Sequence, residues 1–194
     1  MNGVYFALVH YPVYNREGDI VATSVTPLDL HDMGRIAATF GVKGFFVVNA
    51  LASQRLLVAE MIYHWKEGLG GDHSPHRRRA LSTAEVTATA AETFDVVTAR
   101  EGAEPMVAAT SARRVGDSLP AERLLDVAAG RPVLVLFGTG YGMTRDLLAA
   151  SDVLLDPIQG PTDFNHLPVR AAIAIYAYKI LSKKREYAEL VGNN

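Results

Sequence analysis

The sequence predicts a three-layer α/β domain with a mostly parallel sheet. Two patterns carry that prediction. Short β-branched and aromatic runs alternate with longer segments of helical periodicity, and most of the short runs are apolar throughout. Strands that alternate with helices pair in parallel, and parallel strands covered on both faces lose the every-second-residue polarity of a half-exposed sheet. A third observation bounds the size. The 194 residues, 49% hydrophobic and 21% charged, suit one soluble core, so a single domain over 1–194 is expected.

The first strand is VYFALVHY (4–11). A helix follows over 27–40, with Thr26 as N-cap and Pro27 at its first position, where a missing N–H costs nothing. GFFVVN (44–49) is the second strand, and a helix is expected over 52–65. The glycine-rich GLGGDHSPHRRR (68–79) reads as a mobile surface loop. Ser82 and Glu85 form a capping-box pattern that opens a helix over 82–92. Further strands are expected at FDVVTA (94–99), PMVAAT (105–110), PVLVLF (132–137) and DVLLDPI (152–158), with helices over 120–129 and 143–150. The final helix, 167–182, has Pro168 at its start and is apolar on nearly every side, which calls for burial by several neighbours or by a second subunit.

Composition narrows the function classes. The formal net charge of −2 argues against a broadly basic nucleic-acid binder, so a polyanion would have to meet a local patch. HRRR (76–79), with Arg77, Arg78 and Arg79, and the pair Arg113–Arg114 are the places for one, although such runs also serve as plain solvated surface. No apolar stretch reaches the roughly 18 residues of a membrane span. MNGVYFALVHYP lacks the basic start and cleavage site of a signal peptide. The lack of cysteine removes disulfides and thiolate ligands and fits a reducing cytoplasm, the expected location. HSPH (73–76) has no third ligand at a usual spacing, so no metal site is expected.

The chemistry concentrates in FGTGYGM (137–143), three glycines at alternate positions behind the apolar run VLVL. Such a loop is either a tight strand-to-helix turn or a place where the backbone approaches a ligand. It lacks the lysine of a phosphate-binding P-loop, and Met143 stands where a dinucleotide fingerprint needs its third glycine. Asp156 lies at about the distance of a ribose-binding acid, which keeps a nucleotide reading open. The loop comes near the end of the chain, however, with too little sequence left for the rest of a nucleotide-binding half, so a cofactor of another kind fits better.

Three stretches then resemble, in order, the motifs of the SPOUT (alpha/beta-knot) RNA methyltransferases: RIAATFGV (35–42), VLVLFGTGYGM (133–143) and PIQGPTDFNHLPVRAAIAI (157–175). ATSAR (109–113) is similar to a segment of some tRNA ribose methyltransferases in that superfamily. The nearest resemblance is to a compact, stand-alone bacterial branch described as S-adenosylmethionine-dependent RNA methyltransferases, similar to the tRNA guanine-N1 enzymes. The resemblance implies a C-terminal trefoil knot over 133–182, a homodimer that covers the last helix, and an RNA substrate, tRNA foremost. It implies that the adenosine of S-adenosylmethionine lies against Phe137, Gly138, Thr139, Gly140 and Gly142, against Leu155, Ile158 and Gly160, and against Phe164, Asn165, His166 and Leu167, with Thr110 and Ser111 alongside. Ile158 and Leu167 would flank the adenine.

The sequence departs from the ribose 2′-O branch at two places. Asp29 stands where that branch has asparagine six residues before the motif arginine, and Thr139 stands where its glycine loop has glutamate. Methyl transfer demands alignment and removal of the acceptor's proton. Asp163 is the expected base for a ring nitrogen, with a cap before the helix as its structural alternative. Arg35 would hold the target phosphate or stabilise charge, its alternative being an exposed salt bridge. Asn165 would fix the cofactor loop, His166 would touch cofactor or RNA or be merely structural, and Arg77, Arg78, Arg79 and Arg113 would hold RNA. A SAM- or nucleotide-binding regulatory module without catalysis is the rival function.

Overall fold

The computed structural model describes residues 3–182. From the N-terminus, β1 (Val4–Val9) leads into a small hairpin of β2 (Val13–Tyr14) and β3 (Ile20–Val21), then α1 (Pro27–Phe40), β4 (Gly44–Val48) and α2 (Ala52–Lys66). The chain continues through α3 (Leu69–His73), α4 (Pro75–Leu81), β5 (Ala84–Thr87), α5 (Ala90–Glu101) and β6 (Met106–Ala109). A 3₁₀ turn at Ala121–Arg123 precedes α6 (Leu124–Ala128), β7 (Val133–Gly138), α7 (Arg145–Ala149), β8 (Val153–Leu154) and α8 (Val169–Leu181).

Six strands form one sheet in the order β5-β4-β1-β7-β6-β8, and every pairing in it is parallel. The α/β class and the parallel sheet are as the continuous apolar runs predict. Each central strand is buried on both faces because its side chains alternate between two cores. In β1, Val4, Phe6 and Leu8 join the core beneath α1, α2, α4 and α8, whereas Tyr5, Ala7 and Val9 join the core beneath α5 and α7. On the first face the Phe6 and Phe137 rings meet edge-on at 5.2 Å, and Tyr176 of α8 approaches Phe137 at 5.9 Å. Such aromatic contacts add about 1 kcal/mol each beyond the area they bury.

The topology defines one crevice. From β1 the chain runs through β4 to β5 on one side, then crosses to β6 and β7 on the other. Ligands of open α/β sheets bind outside the carboxyl ends of strands at such a switch point. Here that point lies between β1 and β7, where Val9 is paired with Gly138.

α1 has the predicted bounds and the predicted cap: Thr26 accepts from the Asp29 N–H, and the Asp29 carboxylate accepts from the Thr26 N–H. Three expectations fail. The segment 94–99 is not a strand but the middle of α5, whose Thr93 and Val97 are buried one helical turn apart. The helix expected over 82–92 is a strand at its start, and its capping box belongs elsewhere: Thr89 and Glu92 cap α5, seven residues later. Ser82 instead ends α4 by donating to the Arg79 carbonyl, and Glu85 pairs with Arg100 across the sheet edge. Two S/T-x-x-E patterns stand in tandem, and β5 pairing with β4 decides which one starts a helix. The third failure is 68–79, which is not a loop but α3 and α4. Pro75 occupies the first turn of α4, Arg78 pairs with Asp72 at 2.6 Å, and Arg77 lies over the Trp65 ring at 4.7 Å. The other predicted elements are present: α2 runs one residue past its expected end, β7 is shifted by one residue, and the rest are shorter, most of all the strand at 152–158, which is reduced to Val153–Leu154.

Candidate functional site

A cavity of about 810 Å³ opens at the β1/β7 crevice. One wall is the glycine loop after β7. Gly140 there adopts φ +58, and a Cβ on it would stand 3.0 Å from the Tyr14 carbonyl oxygen. Gly142 has φ +105, a conformation that L side chains rarely take. The turn and the close approach both exist, and the partner in the approach is the β2 strand of the same chain. Tyr141 N–H donates to the Tyr14 carbonyl (3.0 Å), and Tyr14 N–H donates to the Gly142 carbonyl (2.9 Å).

The second wall is the loop before α8. Asn165, His166, Leu167 and Pro168 line the cavity, as do Val169 and Ala172 in the first turn of α8. Asn165 Nδ2 donates to the Ala112 carbonyl at 2.6 Å, tying this loop to the third wall, Thr110–Arg113, at the end of β6. Thr110 is held in turn by its hydroxyl, which donates to the Leu136 carbonyl at 3.0 Å. Phe137, Ile158 and Tyr176 supply apolar surface. The Tyr176 hydroxyl donates to the Asp156 carbonyl at 2.7 Å, and burial pushes its pKa up to about 12, so the phenol stays neutral.

The fourth wall comes from the β1–α1 connection: His10, Thr23, Ser24 and Asp29. Asn49, fully buried at the end of β4, donates to the Thr23 carbonyl at 3.0 Å and fixes it. Asp29 is 8% exposed and is already bound by its capping box and by Arg170 at 3.9 Å. His10 is 1% exposed, and burial holds its pKa down to about 4 against the pull of Asp29.

The structure therefore brings Thr110, Ser111, Phe137, Gly138, Thr139, Gly140, Gly142, Ile158, Asn165, His166, Leu167 and Arg113 to one cavity. Leu155 lies buried outside its lining, and Gly160, Asp163 and Phe164 are exposed outside it. The Phe164 ring meets His166 edge-on at 5.4 Å. Asp156 does not line it either; it pairs with Arg114 at 3.3 Å and accepts from the Ser118 hydroxyl. Arg35 lines a smaller cavity of about 350 Å³ between α1 and α8, with Arg170, Asp32 and Phe40, and it forms no ion pair among the described residues. Arg77, Arg78 and Arg79 line neither cavity. Among the described residues no group of three His, Asp or Glu side chains is placed to hold a metal.

Sequence reasoning missed His10, Thr23 and Ser24. The signal for His10 was a lone polar residue closing the apolar run VYFALV, at the strand end where parallel sheets hold ligands. Thr23 and Ser24 carry no local signal, since the hairpin that delivers them pairs with residues far along the chain.

Comparisons with known proteins bear on the family and the fold. The family model for SAM-dependent RNA methyltransferases matches residues 3–182. A tRNA (guanine-N(1)-)-methyltransferase of Oleidesulfovibrio alaskensis is 40% identical over 178 residues, covering 92% of this chain and 42% of that protein. The chain thus spans less than half the length of that curated relative. An uncharacterised protein of Aquifex aeolicus is 32% identical over 184 residues, covering 94% of this chain and 90% of the other. Among solved structures, the Aquifex aeolicus TrmH/SpoU tRNA modifying enzyme superposes with a TM-score of 0.62 at 12% identity, covering 97% of this chain and 78% of that one. The last match speaks for the fold alone. With the family model spanning every described residue and a glycine-walled cavity at the sheet's switch point, the chain belongs to the SAM-dependent RNA methyltransferase family.

Proposed function

We propose that this protein methylates tRNA, at guanine N1 or a ribose 2′-oxygen, with the cofactor held in the β1/β7 cavity. The observation that carries the reading is the convergence of the glycine loop, the Thr110–Arg113 segment and the 165–168 loop on that one space. The residues present suit an adenosine. Backbone groups of 138–142 and 165–167 would read the base edge, Ile158 and Leu167 would flank it, and the Asn165–Ala112 hydrogen bond would hold the two loops apart at a fixed span. When bound, S-adenosylmethionine supplies a methyl group on a cationic sulfur. This chain's residues must align the acceptor with it and receive the acceptor's proton. Asp163, exposed in the loop before α8, is assigned the proton, Arg35 the target phosphate, and Arg113 with Arg77, Arg78 and Arg79 the RNA backbone. The guanine-N1 assignment draws on the curated relative; the shared fold suits either acceptor.

The same reading includes a trefoil knot over 133–182 and a homodimer. Exposed Leu28 of α1 and Tyr178 of α8 support the dimer. Cytoplasmic action follows from the substrate; no helix among the described residues is long and apolar enough to cross a membrane.

Calorimetry with S-adenosylhomocysteine tests the shared core of the proposal, and absence of binding sinks it. Methyl incorporation into tRNA from a strain lacking the protein, mapped by nucleoside mass spectrometry, then names the acceptor. Binding without incorporation would mark a regulatory module. If Arg35→Ala and Asp163→Ala transfer methyl as fast as wild type, their roles are misassigned; the expected drop is on the order of a hundredfold for each.

A further inference from the structure

The polar chain that crosses the cavity's fourth wall fixes the tautomer of His10. The Val9 carbonyl can only accept, and the Thr139 hydroxyl lies 3.0 Å from it as donor. With the single hydroxyl proton of Thr139 placed on that bond, beside the Thr139 N–H at 3.2 Å, the donor in the 2.6 Å contact with Thr23 is Thr23. With its own proton spent, the Thr23 hydroxyl must accept at 2.8 Å from Nδ1 of His10. Nδ1 therefore carries the ring proton, and Nε2 carries a lone pair.

That lone pair is an anomaly. Nε2 has no hydrogen-bond partner among the described residues, and the side chain is 1% exposed while lining the main cavity. A buried acceptor left unpaired is disfavoured, and folds keep few of them. Every other group in the row is satisfied and directional, so the row works as a clamp: it anchors the glycine loop at Thr139 and sets the ring so that Nε2 can only accept. Asp29 of α1 is the charged group that acts on the ring, and Arg113 and His166 line the same cavity. Burial outweighs Asp29 and keeps the imidazole neutral above about pH 4.

We propose that His10 is a ligand-binding residue whose Nε2 accepts a hydrogen bond from an N–H or O–H donor of the molecule that fills this cavity. The inference rests on reading the cavity as the cofactor and acceptor-nucleotide site. The donor has two sources: a hydroxyl, ammonium or amine of the cofactor, or a ring N–H or hydroxyl of the RNA acceptor. It excludes any ligand that presents only acceptors to this wall, such as a phosphate or carboxylate.

The test is imidazole ¹⁵N spectroscopy on the wild-type protein, with His10 assigned by the loss of its signals in His10→Asn. At pH 7 the free protein is expected to show Nδ1 protonated and Nε2 bare; a protonated Nε2 overturns the proposal before any ligand is added. S-adenosylhomocysteine is then added alone, followed by tRNA from a strain lacking the protein. An upfield move of Nε2 with S-adenosylhomocysteine places the donor on the cofactor, and a move only after tRNA places it on the acceptor nucleotide. A resonance unmoved in both arms overturns the proposal. Calorimetry on the same samples separates the failures: heat of cofactor binding with an unmoved Nε2 leaves the methyltransferase reading standing and removes only the role of His10. His10→Asn keeps a donor toward Thr23 but no acceptor at the Nε2 position. It should lower cofactor affinity or methyl transfer about tenfold, according to which arm responds.

Discussion

The two ends of the sheet use polar groups in opposite ways. At the amino end, Glu101 closes a network: it accepts from Lys43 at 2.8 Å, the Tyr5 hydroxyl at 2.7 Å and the Gly3 N–H at 3.4 Å. The Lys43 and Tyr5 hydrogen bonds hold its pKa below the usual carboxylate range, and burial, with Glu101 beside it, pushes Tyr5 up to about 12. Donors and acceptors balance there with nothing left over. At the carboxyl end, the row from Val9 through Thr139 and Thr23 to His10 ends on an unpaired nitrogen. A closed network serves only folding, whereas one that stops at a cavity wall leaves a position for a guest.

Substitutions can break that contrast. The largest effect is expected from Gly140→Val, which puts a β-branched residue at φ +58 against the Tyr14 carbonyl. It should weaken S-adenosylhomocysteine binding about a hundredfold, roughly 3 kcal/mol by calorimetry. Glu101→Ala at the opposite end should remove about 2 kcal/mol of stability in urea denaturation and leave cofactor affinity within about twofold.

Acid separates the ends next. His10 has a folded pKa near 4, below its unfolded value of 6.5, so the unfolded chain binds the extra proton and stability falls as pH drops between those values. The His10 share of the loss from pH 7 to pH 5 should be about 2 kcal/mol, and His10→Asn should remove that share, leaving the one from His31, whose pKa burial also lowers. Glu101 is also depressed, but from a carboxylate value of 4.5, so its contribution fades only below that pH. A wild-type denaturation midpoint that stays level from pH 7 to pH 5 would contradict the buried neutral His10. The smallest change is expected from Arg113→Ala, which should reduce the salt dependence of tRNA binding by about one unit of slope.

The same contrast explains what the sequence disclosed. The central strands β1, β4 and β7 were legible because burial on both faces leaves only one composition open to them. α1 was legible from Thr26 and Pro27, and the glycine loop from its spacing. Those signals are local. The segment 82–101 was misread because two capping patterns and the β-branched run VVT all have a local claim, and pairing with β4 overrides one of them. The fourth wall was hidden for a related reason. Thr23 becomes a site residue only because Thr139, 116 positions later, lies against it, and no periodicity encodes such a meeting.

The strap formed by the hairpin also bears on how the chain folds. Val9 and Thr139 are hydrogen-bonded across 130 residues, and Tyr14 is bonded to both Tyr141 and Gly142. Contacts of that separation are slow to close because the loop entropy comes due before the contact rewards it. The cavity is therefore expected to close together with the β1–β7 pairing, which spans a similar stretch of chain, and after the more local pairings on either side. A guest that binds it acts as a seal on the finished chain, adding its affinity to the stability of the native state as a whole.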